Sequence, residues 1–389
     1  MLASTLCLVL ALSSCAHARV AMEAGVTSFE RASWTKGSRV EDQSDNLDVT
    51  FVLHACGRDV LETKFWEVSD PASNDYKNYL TLDQVADLLD PDSCQTPPAS
   101  WVAEYIKNQP GLLASGQEVL FTHDMVSATL DAAAAEAYFQ TELYHYTPTE
   151  EEASGWIGGS IIRCGAPYSV PDELAVAVAF VDKLLRLPRV GPRHQKPAPT
   201  TPLDEGGSLT VPILTENEDP FESCTVAACS GATTPAVLQK QYGFPANKTW
   251  FAKGNSMSVT EFQLQGIRRS DLEAFQGACG VKHCRIDKLK GRGGLLIPGV
   301  EALLDIEYIE AVAAPIPLTM INSVSYSLLD WAKGLNKDKS PAWVHSVSYG
   351  NDEVQQVSSE YMHECNKQFM SAGARGLSVL FASGDQGGL

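Results

Sequence analysis

The stretch Gly291-Arg-Gly-Gly-Leu-Leu-Ile-Pro-Gly-Val-Glu-Ala-Leu-Leu-Asp-Ile-Glu-Tyr constrains the fold of this chain more than any other. It ends in a helix that carries Glu301 and Asp305 four residues apart, and so on one face. Like charges at that spacing repel, so stability alone gives no reason to place them together. Val300, Leu303 and Leu304 form one apolar stripe, and Ala302, Ile306 and Ile309 form a second. A helix apolar on two sides is expected to lie buried between layers, with its acids facing something other than open water. Paired carboxylates in a poorly solvated site raise each other's pKa, which suits acid–base chemistry. A solvated acidic face on a structural helix gives the same pattern, so the pair alone leaves both readings open.

The chain has 389 residues, enough for two or three domains with real cores. Its 44% hydrophobic and 20% charged residues describe a globular protein. A net charge of −19 argues against nucleic-acid binding and fits an acidic compartment, where protonation relieves self-repulsion. Residues 2–12 are an apolar run followed by Ala16-His17-Ala18, which reads as a signal peptide over 1–18 although no positive n-region precedes it. The run is too short to span a bilayer and no later apolar stretch is long enough, so no membrane partner is expected. The route is secretory, ending in a lysosome, a vacuole or outside the cell. Eight cysteines follow Ala18, at 56, 94, 164, 224, 229, 279, 284 and 365. In an oxidising compartment they favour disulfides or free thiols over a metal, since neither Cys224-x4-Cys229 nor Cys279-x4-Cys284 has a matching set of partners. Asn247-Lys248-Thr249 is the single glycosylation sequon.

Taken in order, 47–55 reads as a strand and 60–68 as a short amphipathic helix. Thr81 caps a helix that Pro91 stops, and a third helix covers 99–107. Residues 117–122 read as a strand, 130–139 as an alanine-rich helix, and Tyr144-His145-Tyr146 as a strand again. These elements describe an α+β domain. Tyr168-Ser-Val-Pro-Asp-Glu-Leu is expected to open a helix running to about 187. The stretch 185–220 then gathers Arg186, Arg189, Arg193, His194 and Lys196 among prolines, and ends in an acidic patch. It reads as an exposed linker, either a tether or a protease-sensitive junction.

Beyond the linker, helices are expected at 235–242, 258–265, 270–275 and 328–333, with a long one over 353–374. Strands are expected at 317–323, 345–349 and 377–382. The alternation is α/β with a parallel sheet. Asp385 sits just past the last strand in Ser383-Gly-Asp-Gln-Gly-Gly. Ligands of open parallel sheets bind at strand carboxyl ends, although a Gly-Asp turn is also plain turn chemistry.

Residues 291–305, together with Phe381-Ala-Ser-Gly-Asp385, resemble the sedolisin serine-carboxyl peptidases. Val68-Ser-Asp-Pro-Ala-Ser and Tyr79-Leu-Thr-Leu-Asp-Gln-Val-Ala are similar to the pro-kumamolisin activation domain that precedes them in such precursors. Tyr168-Ser-Val-Pro-Asp-Glu-Leu and Ser346-Val-Ser-Tyr-Gly-Asn-Asp-Glu fit the same pattern, so the likeness runs from about 47 to the last residue. It implies an α+β prodomain followed by a subtilisin-like α/β catalytic domain, its parallel sheet covered by helices on both faces. The divisions are then a prodomain at 19–187, a linker at 188–220 that is cut on activation, and 221–389 as the first part of the catalytic domain. The prodomain is the implied intramolecular inhibitor.

The implied roles are Glu301 as general base toward a serine, Asp305 orienting Glu301, and protonated Asp385 donating to the oxyanion. Below pH ~5 a histidine is a cation, so a carboxylate replaces it as base, and a neutral carboxylic acid is able to donate where an ionised one is not. The family's serine lies in a Gly-Thr-Ser turn, and its calcium site uses residues still farther along. The sequence stops four residues after Asp385 without either, so it is expected to be truncated and inactive alone. Gln386 stands where a serine usually follows the aspartate. Ser230 superficially matches the nucleophile turn, but Thr234-Pro-Ala-Val-Leu-Gln-Lys-Gln-Tyr242 resembles the opening helix of the mature enzyme, so Ser230 is given no catalytic role. The expected activity is acid peptide hydrolysis through an acyl-enzyme, as a tripeptidyl-peptidase or an endopeptidase. The alternative is a secreted, inactive protein that binds peptidases through its prodomain.

Overall fold

The run Asn-Leu-Asp-Val-Thr-Phe-Val-Leu at 46–53 is buried at every position from Val49 onward. A strand with one wet face does not need that, so both of its faces must be covered. The computed structural model describes residues 18–24, 33–40, 45–54, 56–89, 96–149, 159–188, 233–245, 253–263, 265–281, 285–291, 298–323, 326–350 and 358–384. The N-terminal unit runs β1 (Arg19–Met22), β2 (Trp34–Arg39), β3 (Asn46–Leu53), α1 (Arg58–Ser69), α2 (Leu82–Leu88), α3 (Ala99–Lys107), β4 (Leu120–Phe121), β5 (Met125–Asp131) and α4 (Ala132–Phe139). It continues through β6 (Leu143–Pro148), β7 (Ile161–Cys164), β8 (Tyr168–Pro171), α5 (Asp172–Ala175) and β9 (Val178–Asp182). An antiparallel sheet β4-β5-β3-β9 forms its centre, beside a β2-β6-β7 sheet and a β1-β8 ribbon. Val49, Phe51 and Leu53 of β3 face the unit's own core with Val126, Phe139 and Val178. Val52 faces the other way, with Met125 and Phe180, against the second half of the chain.

The helices at 60–68, 82–88 and 99–107 form as their patterns require, and Thr81 closes a reciprocal capping box with Gln84. Three expectations are corrected. The helix expected from 130 starts at Ala132, because Met125–Asp131 pairs along its length with β3 and Asp131 caps the helix through Ala134 N–H at 2.8 Å. The strand expected at 117–122 shrinks to two residues. The helix expected from Tyr168 to about 187 is instead β8, a single turn and β9. Tyr168, Val170, Val178, Phe180 and Val181 prefer extended backbone, and pairing with β1 and β3 rewards it. The Tyr168 hydroxyl locks this turn, donating to Glu23 at 2.8 Å and accepting from Val181 N–H at 2.7 Å.

The second unit runs α6 (Pro235–Tyr242), β10 (Met257–Glu261), α7 (Arg269–Cys279), β11 (Lys288–Gly291), α8 (Val300–Ala313), β12 (Leu318–Asn322), α9 (Leu328–Lys337), β13 (Val344–Val347), α10 (Ser359–Ala374) and β14 (Ser378–Phe381). Its five strands are all parallel, in the order β11-β12-β10-β13-β14. The helix expected at 258–265 is in fact β10, the middle strand. Met257 and Val259 alternate with Ser258 and Thr260, a period of two, and all five residues of the strand are buried. Met257 and Val259 pack with Ala302 and Ile306 of α8 on one face, while Phe262, Val347 and Leu377 pack with α9 and α10 on the other. Helices therefore cover both faces of the sheet. Gly291 ends β11 at φ 95°, where a Cβ would lie 1.8 Å from Asn322 O.

The N-terminal unit docks on α9 and α10. Lys367 of α10 is 1% exposed and meets Asp124 of the β4–β5 turn at 2.9 Å and Glu364 at 2.8 Å. Gln368 Nε2 donates to the same Asp124 oxygen at 3.0 Å. Lys183 pairs with Asp330 of α9 at 2.7 Å. Arg186, expected in an exposed basic linker, is instead buried: its guanidinium pairs with Glu23, donates to the Ser358 hydroxyl, and lies between the Phe180 and Tyr361 rings. Phe65 of α1 comes so close to Gly373 that a Cβ there would lie 2.4 Å from its ring. The rest of the expected linker, 189–220, and Cys94, Cys224, Cys229 and Cys284 lie outside the described residues. Cys164 and Cys365 are buried thiols pushed up to about 12 by burial, and so are unreactive.

Two stability predictions follow from this packing. Lys367→Ala leaves Asp124 and Glu364 buried without their cation and should cost about 3–5 kcal/mol in urea unfolding of the chain. Lys107→Ala, which removes an exposed pair with Glu104, should change it by less than ~1 kcal/mol. A buried His345 links β13 to β10: Nε2 donates to Ala342 O at 2.8 Å, which leaves Nδ1 to accept from the Ser258 hydroxyl. Burial pushes this imidazole down to about 4. Below pH 6.5 the unfolded chain takes up a proton there that the folded chain refuses, so stability falls as pH drops from 6.5 toward 4. His345→Asn should flatten that part of the stability–pH curve, a difference on the order of 3 kcal/mol.

Candidate carboxyl site

Strand alternation decides where the chemistry gathers. Met257, Val259 and Glu261 point to the α8 face of the sheet, so the last residue of the middle strand delivers a carboxyl beneath that helix. Glu261 is fully buried, at 0% exposure. Its backbone carbonyl accepts from Ser323 N–H at 2.9 Å, which ties the ends of β10 and β12 together.

Gly299 caps α8, and Glu301 follows in its first turn, where outward-pointing N–H groups favour an anion. Ala302 and Ile306 anchor the helix on β10 and β12, and this turns Glu301 inward to 8% exposure. Asp305, one turn on, is half-buried. Of the first apolar stripe expected of α8, Leu303 packs on the core, but Val300 is 68% exposed and Leu304 50%. Only one apolar face is covered, and Glu301 lies on the covered side with Ala302, Ile306 and Glu310.

The three carboxyls act on one another. Burial, then the charges of Asp305 and Glu301, push Glu261 well above the ordinary carboxylate range, and Asp305 lies within hydrogen-bond reach of it. Tyr349, just past β13, brings its hydroxyl to 3.4 Å from Glu261 Oε2. The Tyr349 ring stands edge-on to Phe262, with centroids 4.9 Å apart, and Phe262 packs likewise on Tyr326 at 5.0 Å. Burial, followed by Glu261, raises the Tyr349 hydroxyl as well. A neutral Glu261 is able to accept from Tyr349 and donate to Asp305, joining the two halves of the sheet edge without adding a charge.

Of the residues singled out in the sequence, Glu301 and Asp305 meet at this site. Asp385 lies outside the described residues, as does Ser230; the strand leading to Asp385 ends at Phe381, next to β13. Glu261 and Tyr349 were missed. The signal for Glu261 was a lone acid closing the Met-x-Val-x-Glu face of a β-branched run, hidden by reading 258–265 as helix. Among the described residues no group of His, Cys, Asp or Glu is arranged to hold a metal ion, and the calcium residues that the resemblance implies lie outside them.

Residues 32–187 match the family model described as "Pro-kumamolisin, activation domain". The chain is also 30% identical over 370 residues to tripeptidyl-peptidase 1 of Mus musculus, which spans 91% of this chain and 58% of the relative. The Homo sapiens tripeptidyl-peptidase 1 is 30% identical over 361 residues, 89% of this chain and 57% of that protein. The chain is thus similar to the sedolisin peptidases over about nine tenths of its length. Its N-terminal unit is the activation domain, and the parallel sheet with the carboxyl cluster follows it. This chain thus spans somewhat more than half the length of the sedolisin relatives it matches. Among the described residues the activation domain docks on α9 and α10. No described helix is long and apolar enough to cross a membrane.

Because the Glu261 value is raised in the fold, its contribution to stability is full below the unfolded value of 4.5 and is lost as pH rises toward the folded value. Infrared difference spectra of the chain against its Glu261→Gln variant should show a protonated carboxylic C=O stretch that persists at pH values above the ordinary carboxylate range. A spectrum unchanged by that substitution would mean that Glu261 is ionised.

Proposed function

We propose that the carboxyl cluster is the acid–base half of a serine-type peptidase site that works in acid, in a protein synthesised with an inhibitory activation domain. The observation that carries this reading is the meeting of Glu261, Asp305 and Glu301 at the carboxyl edge of the middle parallel strand, in a chain similar to the sedolisin peptidases. Glu301 acts as general base toward a serine contributed from beyond the described residues. Asp305 orients Glu301, and the Glu261–Tyr349 pair holds Asp305. Asp385, neutral in acid, donates a hydrogen bond to the oxyanion of the tetrahedral intermediate. The sheet is then the core of a subtilisin-like domain. The substrates are peptides, cut through an acyl-enzyme in an acidic compartment of the secretory route.

The test uses the full-length protein after acid activation. Glu301→Gln keeps the shape but removes the base, and should lower kcat/KM by about 10²–10⁴-fold. Asp305→Asn should also impair turnover by removing the charge that tunes Glu301. Asp385→Asn separates two roles. An amide still donates, so oxyanion donation predicts residual activity that extends to higher pH, whereas complete loss at all pH assigns Asp385 an ionised role instead. Glu307, half-buried on another face of α8, is the control, and Glu307→Gln should leave turnover within about twofold. Glu310 does not serve as a second control, because it is 2% exposed and accepts from Arg285 N–H.

A further inference from the structure

A cavity of about 360 Å³ opens where the activation domain meets α9 and α10, outside the carboxyl site. Leu82, Val85, Ala86 and Leu89 of α2, with Met125 at the start of β5, give it an apolar wall. The facing wall carries Lys333, Lys337 and Arg375. The volume lies at the lower end of the range for small-molecule sites, which are mostly apolar with a few convergent polar groups.

The charges in the cavity do not cancel. Asp124, one of its two lining carboxylates, is already held by Lys367 at 2.9 Å and Gln368 at 3.0 Å. Asp83, the other, is exposed on α2. Lys333 is paired with Asp330 at 3.3 Å. The Arg375 guanidinium donates only to main-chain carbonyls, those of Leu335, Asn336 and Asp338, and the Asp338 carboxylate that acts on it from nearby is itself paired with Lys290. Lys337 has no ion-pair partner among the described residues, and it stands one turn from Lys333, an arrangement that costs stability unless an anion lies between them. Both lysines line the cavity, and burial, followed by Lys333, depresses the Lys337 amine, with Asp124 and Asp330 offsetting this in part.

We propose that this cavity binds a small amphiphilic anion, an apolar body bearing one carboxylate or phosphate head, with the head at Lys337 and Lys333 and the body on α2. Since its walls come from both units, the occupant favours the docked state over any in which the activation domain has moved away.

Calorimetric titration of the chain at neutral pH with octanoate, octyl phosphate and octanol tests this. Saturable binding at one site is expected for at least one of the two anions, and the tighter of the two identifies the head group. Octanol should bind about tenfold more weakly or not at all, because it lacks the charge. Lys337→Gln should weaken anion binding about tenfold without lowering the unfolding midpoint of the free chain, since it relieves the repulsion from Lys333, and Ala86→Trp should abolish binding by filling the cavity. If Ala86→Trp does not fold, Lys337→Gln decides alone. Octanol binding as tight as octanoate, anion binding unchanged in Lys337→Gln, or no saturable binding of either anion in the millimolar range would each overturn the proposal.

Discussion

Helix α10 is enclosed on two sides, and the arrangement of the two units depends on that. Phe369 and Ala372 pack it on the parallel sheet, while Cys365, Met370 and Ala374 meet the activation domain. The exposed residues of α10 all lie in its first half, up to Asn366, yet the buried part carries Glu364, Lys367, Gln368 and Ser371. Each must find a partner or cost several kcal/mol. Asp124 answers two of them at once. A slide of one residue along α10 would strand the lysine in an apolar seam. The polar cluster therefore sets the register of docking, while the apolar contacts supply the area.

Acid acts unevenly on this arrangement. Burial alone would raise Asp124 and Asp330, but Lys367 beside the first and Lys183 beside the second hold both below the usual carboxylate range. Glu23 and Glu364 go the other way, because burial outweighs Arg186 in one case and Lys367 in the other. Mild acid thus leaves both cross-unit ion pairs charged. Protonation in acid falls instead on Glu364, which shares Lys367 with Asp124, and on Glu23, which shares Arg186 with Ser358. Because both are raised in the fold, taking up that proton favours the folded chain over the unfolded one.

Much of this was legible in the sequence wherever local chemistry and tertiary demand agree. The helix at 99–107, the Thr81 cap and the Pro235 start all rest on short-range signals. The alternation of the second half announced a parallel sheet. The failures share one cause: residues whose partners lie far along the chain. Ser258–Gln265 has no strong helix breaker, and only pairing with β12 and β13 makes 257–261 a strand. Tyr168–Leu187 looked like a proline-led helix because β1 and β3, which claim it, are more than 100 residues upstream. The faces of α8 were misjudged for the same reason. Periodicity marked two apolar stripes, but nothing local tells which one a sheet will cover, and Val300 and Leu304 remain exposed.

That misjudgement bears directly on the carboxyls. If both stripes of α8 were buried, its acids would be squeezed toward an edge and would need cations. With one stripe covered, Glu301 turns under the helix toward Glu261, and the repulsion between Glu301 and Asp305 is answered by a proton on a third carboxyl. A proton is a smaller and more mobile partner than a lysine. It leaves the cluster one charge lower without filling the space a reacting group needs. Because the three interact, the pKa values that any measurement reports belong to the set and not to one residue. Tyr349 strengthens the arrangement from the far side, since its hydroxyl serves Glu261 in either protonation state. A buried strand end, a helix lying over it and a tyrosine reaching across the sheet edge thus supply a shared proton, and a shared proton lets like charges sit together on one helix face.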